Sequence, residues 1–290
     1  MEMTGYVIIT PVKDEEKYLE FTIKSVISQK IRPLQWVIVD DGSVDRTREI
    51  IEDYSRRERW IKGVYYEGNS GPRKPGERHI KAFYEGYSKL DVTNWQFLVK
   101  LDGDLSFDED YFERCLQYFK ETPKLGIGGG TILNIVNGVA VSERHPDFHV
   151  RGATKIYRRD CWDAIGGLVV ATCYDTVDEV KANMLGYETR TFSDLRVLHH
   201  RYTGGAYGMW RNSVKNGLSD YLCGYHPFFM MCKCIKRFGE KPYGLGALGL
   251  LRGYVGGYMS RIPRVADEDL ISYLRHQQLR RLFFRKSIWK

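Results

Sequence analysis

No stretch of the chain is apolar for long enough to cross a bilayer, which takes roughly 20 predominantly apolar residues in a helix. The nearest approach, YGLGALGLLRGYVGGYM at 243–259, is broken by glycines and by Arg252. No membrane span is therefore expected. The start, MEMTGYVIITPV, enters a strand pattern almost at once, so no secretory leader is expected either. The six cysteines (115, 161, 173, 223, 232 and 234) include no CxxC pair and no zinc spacing. Cys232 and Cys234 stand too close together for an ordinary structural disulfide. Reduced thiols in a cytoplasmic protein are expected. No G-x-G-x-x-G follows the first strand, and no helix pattern follows the glycines of 126–130, which excludes a Rossmann dehydrogenase. Neither a Ser-His nor a Cys-His constellation stands out, and there is no internal repeat.

What is present suits a folded protein. The chain has 290 residues, 43% hydrophobic and 28% charged, enough for one large domain or a domain with an appendage. The net charge of +7 is unevenly placed. The last sixteen residues hold Arg275, Arg280, Arg281, Arg285, Lys286 and Lys290 and no acid. Such a tail fits an anionic surface, or simply a solvated helix face.

The first half alternates two periods. Tyr6 to Thr10 reads as a buried strand stopped by Pro11. Leu19, Ile23, Val26 and Ile27 recur at helical spacing within residues 16–29. A strand at 36–40 follows, then a helix to Arg57 with Asp45 as its N-cap. Residues 64–66 form a third strand, 68–76 a Gly- and Pro-rich loop, 77–90 a helix, and 95–101 a strand. Repeated βα units predict a largely parallel sheet with helices on both faces, whose ligand lies outside the carboxyl ends of the strands. Further on, a strand is expected after 126–130, helices at 158–166 and 175–186, and a last strand at 196–200. Beyond about residue 210 helical patterns dominate.

Two pairs of acids close strands: Asp40-Asp41 after WVIV, and Asp102-Gly-Asp104 after QFLVK. In a parallel sheet they converge on one edge. A strand-end carboxylate can accept from a base N–H or a ribose hydroxyl. Two carboxylates around one glycine can hold Mg²⁺ or Mn²⁺, which prefer oxygen ligands and bridge to diphosphates. Arg73, Lys74 and Arg78, in the loop GNSGPRKPGERH, could reach phosphate oxygens at the same edge. Asp175 and Asp178 form a third acidic site.

The block ITPVKDEEKYLEFTIKSVISQKIRPLQWVIVDDGSVDRT resembles the opening of the family 2 glycosyltransferases, and LVKLDGD resembles their DxD metal motif. The resemblance covers roughly residues 5–205. It implies the GT-A fold, a Rossmann-like mixed α/β sheet flanked by helices, and inverting transfer of a sugar from a nucleotide-sugar donor to a hydroxyl acceptor. Carried over by position, it puts Thr10, Pro11 and Glu15 near the base and ribose. It puts Asp40 or the competing Asp41 on the base, Asp102 on the ribose and diphosphate side, and Asp104 on the divalent cation. The family's Glu-Asp pair at a helix start reads Tyr174-Asp175-Thr176 here. The base is thus Asp175 or Asp178, with Asp175 preferred because it begins the helix. A later histidine often completes the metal site, and His199 or His200 fits.

Residues 1–210 are then the catalytic domain and 211–290 a helical, basic extension. That extension mixes Phe228, Phe229, Met230 and Met231 with Lys233, Lys236 and Arg237. Such a mixture suits the cytoplasmic membrane surface, where a glycan or lipid-linked acceptor could be met, or a helical cap or oligomer contact. A polyprenyl-phosphate acceptor is a variant of this reading. A nucleotidyltransferase would carry an early Gly-rich activating loop that TPVKDEEK lacks. A nucleic-acid binder would carry a basic and aromatic patch across the domain, whereas the expected cleft is acidic, so no nucleic-acid partner is expected.

Overall fold

The computed structural model describes residues 5–66, 77–136, 138–142, 146, 148–201, 208–240 and 243–289. Strand β1 (Tyr6–Val12) is buried along its whole length. It pairs in parallel with β2 (Gln35–Asp40) on one side and β4 (Phe97–Leu101) on the other. β3 (Ile61–Tyr65) continues the sheet beyond β2. The expected stop at Pro11 does not occur. Pro11 lacks an N–H, but the ladder to β4 has already ended at Ile9, while the ladder to β2 runs on to Val12. Proline is tolerated where no partner waits for its missing donor.

Three helices connect these strands: α1 (Leu19–Ile27), α2 (Thr47–Arg57) and α3 (Glu77–Ser88). α1 buries Leu19, Ile23 and Val26, the face its spacing predicts. α2 starts two residues after Asp45, with Arg46 in the cap position. The Asp45 carboxylate still accepts from the Thr47 N–H at 3.0 Å and from the Glu16 N–H at 3.0 Å, which ties the helix entry to the segment after β1.

After β5 (Leu105–Phe107) and α4 (Tyr111–Glu121), the chain forms β6 (Leu125–Val136), with β7 (Val139–Ser142) on its margin. The glycines of 126–130 lie inside β6. A Cβ on Gly129 would stand 2.3 Å from the Thr154 carbonyl oxygen, so this strand can approach its neighbour only without side chains. β8 (Thr154–Arg158) runs antiparallel between β4 and β6. α5 (Arg159–Ile165) and α6 (Tyr174–Met184) lead to β9 (Glu188–His199), longer than expected, parallel to β6 and antiparallel to β5. The sheet order is β3-β2-β1-β4-β8-β6-β9-β5.

Side chains alternate across this sheet as a strand requires. Ile8, Ile38 and Val99 enter one core with α1, α2 and α4. Val7, Ile9, Val37 and Leu98 enter the other with α3 and α5. A third core joins Cys173, Val177 and Val180, at and within α6, to the C-terminal helices α7 (Gly208–Leu222), α8 (Pro227–Phe238), α9 (Leu245–Met259) and α10 (Glu268–Leu282). α7 and α9 touch backbone to backbone: a Cβ on Gly253 would stand 2.0 Å from the Val214 carbonyl oxygen. All six cysteines are free thiols. Among the described residues, no helix is long and apolar enough to cross a membrane.

Candidate active site

The carboxyl ends of β1, β2 and β4 open on one edge, and the acids sit there. Asp40 ends β2, is buried, and accepts the Ser43 N–H at 2.9 Å; Gly42, at φ +68°, makes the turn. Asp41 pairs with the Arg78 guanidinium, which also donates to the Asp41 carbonyl. Arg78, expected to meet phosphate, is therefore engaged with this carboxylate at the start of α3. Arg73 and Lys74 lie outside the described residues. Thr10 is buried, its hydroxyl accepting from the Trp36 indole at 2.9 Å, next to Pro11 in β1.

Glu15 follows β1 and is nearly buried, with Arg201 at 2.7 Å from its carboxylate. Burial, helped by the Asp104 charge, pushes its carboxyl up to about 8. Arg201 also donates to the Asp14 carbonyl at 2.6 Å, pinning the segment after β9 to the segment after β1.

β4 carries a fully buried lysine two residues before the acidic turn. Lys100 donates to Asp102 at 2.7 Å and to the Gly152 carbonyl at 2.6 Å. His79 of α3 lies 3.6 Å from the same Asp102 oxygen. Burial works to raise the Asp102 carboxyl, but Lys100 and His79 outweigh it and hold it below the usual range. Burial and then Lys100 press His79 down to about 4.

Asp104 lies one glycine further on. Its Oδ2 is 3.1 Å from His199 Nε2, and the other His199 nitrogen is 3.0 Å from Asn134 Oδ1. Its Oδ1 is buried with no hydrogen-bond partner among the described residues. His199 is buried, which lowers its proton affinity, but Asp104 reverses that and the net direction is up. His200 does not join it. Successive strand residues face opposite ways, and the His200 ring goes to Ser106 Oγ at 2.8 Å and stacks on Phe21 at 4.6 Å between centroids. Only its backbone meets Asp104, donating to the carbonyl at 2.9 Å. Of the two histidines, His199 faces the Asp104 carboxylate and the His200 ring turns toward Ser106 and Phe21.

Among the described residues, no three His, Cys, Asp or Glu side chains gather around one point. Asp104 and His199 offer two donors, and the carboxylate oxygen without a partner is what a hard cation would use. Oxygen and imidazole donors fit Mn²⁺, and an incomplete protein set leaves room for phosphate oxygens and water.

The two candidate bases separate clearly. Asp175 lies in the first turn of α6. A Cβ on Gly152 would stand 3.5 Å from the Asp175 Cβ, so Asp175 neighbours the residue whose carbonyl Lys100 grips beside Asp102. Asp178 lies within an ionic cluster instead. It accepts from Lys155 at 2.9 Å and from the Tyr157 hydroxyl at 2.6 Å, and burial lifts its carboxyl to about 6. Lys155 also meets Glu179 at 2.7 Å and the Asp175 carbonyl at 2.7 Å. Glu179 accepts the Val150 N–H at 2.8 Å and lies 2.9 Å from His149. These contacts engage both oxygens of Asp178 within the cluster.

Sequence reading passed over Lys100, Lys155, Glu179, His79, Asn134 and Arg201. Lys100 had a signal, a lone charge in the otherwise apolar strand FLVKL; the others had none.

A profile of glycosyl transferase family 2 matches residues 7–209. A teichuronic acid biosynthesis glycosyltransferase of Bacillus subtilis is 31% identical over 114 residues, 39% of this chain and 41% of the relative. The matches span less than half the length of such curated relatives. Residues 1–349 of TarS from S. aureus in complex with UDP superpose with a TM-score of 0.55 at 17% identity, covering 97% of this chain and 86% of that one. A Pyrobaculum calidifontis mannosyltransferase with GDP-Man and Mn²⁺ gives 0.56 at 14%, covering 97% and 76%. These likenesses are of fold, and the fold is GT-A.

Proposed function

Because the chain belongs to glycosyl transferase family 2, we propose that it moves a sugar from a nucleoside diphosphate donor to an acceptor hydroxyl, with inversion at the anomeric carbon. The observation that carries this reading is one sheet edge holding Asp40, Asp102 and the Asp104–His199 pair, with Asp175 beside it at the start of α6.

In this reading Asp40 accepts from the base, with Thr10, Pro11 and Glu15 forming the floor beneath it. Asp102, kept anionic by Lys100, accepts from the ribose. Asp104 and His199 would hold Mn²⁺ or Mg²⁺, which supplies positive charge to the leaving diphosphate. Asp175 takes the proton from the acceptor hydroxyl as its oxygen attacks the anomeric carbon. The new C–O bond forms as the bond to the diphosphate breaks, and the nucleoside diphosphate leaves with the electron pair. One base suffices, and no covalent enzyme intermediate arises.

The product would be a cell-surface polysaccharide or glycolipid. Residues 1–210 would be catalytic. The basic helices of 211–290 would keep the enzyme on the cytoplasmic face of a membrane, near a glycan or lipid-linked acceptor. Calorimetry with UDP, GDP and dTDP, with Mn²⁺ or with EDTA, tests the donor site. One nucleotide should bind with Mn²⁺ and fail with EDTA or in Asp104→Ala. A folded protein that binds none of them would overturn the reading.

A further inference from the structure

The C-terminal helices leave an apolar face bare. On α8, Phe228, Met231, Ile235 and Phe238 are 44, 49, 66 and 57% exposed. Steps of three and four residues put them on one side of the helix. On α9, Leu248, Leu251, Val255 and Met259 repeat that spacing, all exposed. The two stripes meet where α8 turns toward α9: a Cβ on Gly244 would stand 3.2 Å from the Phe238 ring. A continuous exposed patch of this kind marks a contact surface.

Charge decides what covers it. On α8 and α9 themselves the charged residues are Lys233, Lys236, Arg237 and Arg252, with no acid. Lys233 meets Asp220 at 2.7 Å, and Arg237 lies 3.7 Å from Glu240. Lys236, Arg252 and Arg261 are exposed on or just after the same helices. A second copy of the chain laid on this face would set cations against cations, whereas anionic headgroups would neutralise them. A one-sided stripe on helices too short to span suits the plane of a membrane interface.

We propose that the outer face of α8 and α9 docks on a bilayer that carries anionic lipid, with the apolar stripes at the acyl boundary and the cations among the headgroups. This specifies, and rests on, the membrane-side part of the reading above. Its test uses no sugar donor, so vesicle binding and nucleotide binding succeed or fail separately.

The full chain is sedimented with phosphatidylcholine vesicles, with and without phosphatidylglycerol. Binding to the anionic vesicles is expected, weakening as salt rises. Lys236→Glu with Arg252→Glu should lower partitioning by about 25-fold or more, about fivefold for each charge lost. Ile235→Ser with Phe238→Ser should lower it by about tenfold or more. Far-UV circular dichroism and the unfolding temperature should not change. Failure of the folded wild type to bind anionic vesicles would overturn the proposal. So would binding that neither pair weakens. A dimer in sedimentation velocity that Ile235→Ser with Phe238→Ser abolishes would assign the face to a second copy instead and would equally overturn it.

Discussion

Lys155→Met probes the ionic cluster under the first turn of α6. The Lys155 ammonium is fully buried and meets Asp178 at 2.9 Å, Glu179 at 2.7 Å and the Asp175 carbonyl at 2.7 Å. Methionine keeps most of the side chain's bulk and removes the charge. Among the described residues Asp178 then keeps the Tyr157 hydroxyl and the Glu179 N–H, and Glu179 keeps His149 and the Val150 N–H. Removing one partner of a buried ion pair costs about 3–5 kcal/mol. At about 2–4 °C per kcal/mol for a protein of this size, the unfolding temperature should fall by roughly 6–20 °C. The loss should depend on pH. Burial already lifts the Asp178 carboxyl to about 6 while Lys155 pulls it down. A carboxyl raised in the folded state contributes stability at low pH and loses it as pH rises through the folded value. Without Lys155 the Asp178 value rises further, so the deficit should be greatest above pH 7 and shrink toward pH 5. Thermal unfolding of wild type, Lys155→Met and Lys155→Met with Asp178→Asn, followed by circular dichroism across that range, measures it. The double variant should recover part of the loss. An unfolding temperature within about 2 °C of wild type at pH 8, or a deficit that ignores pH, would refute the reasoning.

Asp175→Asn should cut turnover by on the order of 10²–10⁴-fold while leaving nucleotide affinity unchanged, as calorimetry and nucleotide-release kinetics would separate. Asn134→Ala removes the partner that orients the His199 ring, and should weaken Mn²⁺ binding by about 10–100-fold, read by titrating Mn²⁺ into the nucleotide complex. Gly253→Ala puts a methyl 2.0 Å from the Val214 carbonyl oxygen, and should destabilise by about 1–3 kcal/mol or more, seen in the denaturant midpoint.

The acidic edge was legible because buried strands announce themselves by β-branched runs, and a carboxylate pair at the end of such a run has few other uses. Asp40 and Asp104 are where that logic puts them. The histidine pair shows its limit. Alternation says that one of His199 and His200 faces the carboxylate, but which one depends on how β9 registers with β5 and β6, a long-range matter. Position in the helix is what favours Asp175 over Asp178 in the sequence, while the feature that separates their surroundings, the buried Lys155 on β8, is a long-range contact. Sequence reading starts the strand only after the glycines of 126–130, because glycine weakens strands in isolation. Here the tight approach of β8 outweighs that preference.

The third hydrophobic core also sets how the chain can be cut. Cys173, Val177 and Val180 are covered by Tyr221, Leu250, Leu270 and Leu274. Lys181 reaches Asp267 at 3.0 Å. The helix that presents Asp175 is thus roofed by segments remote in sequence. A truncation near residue 210 would strip that roof and wet the back of α6. A chimera that trades donor domains at the same point would have to trade α6 and its covering helices as one piece.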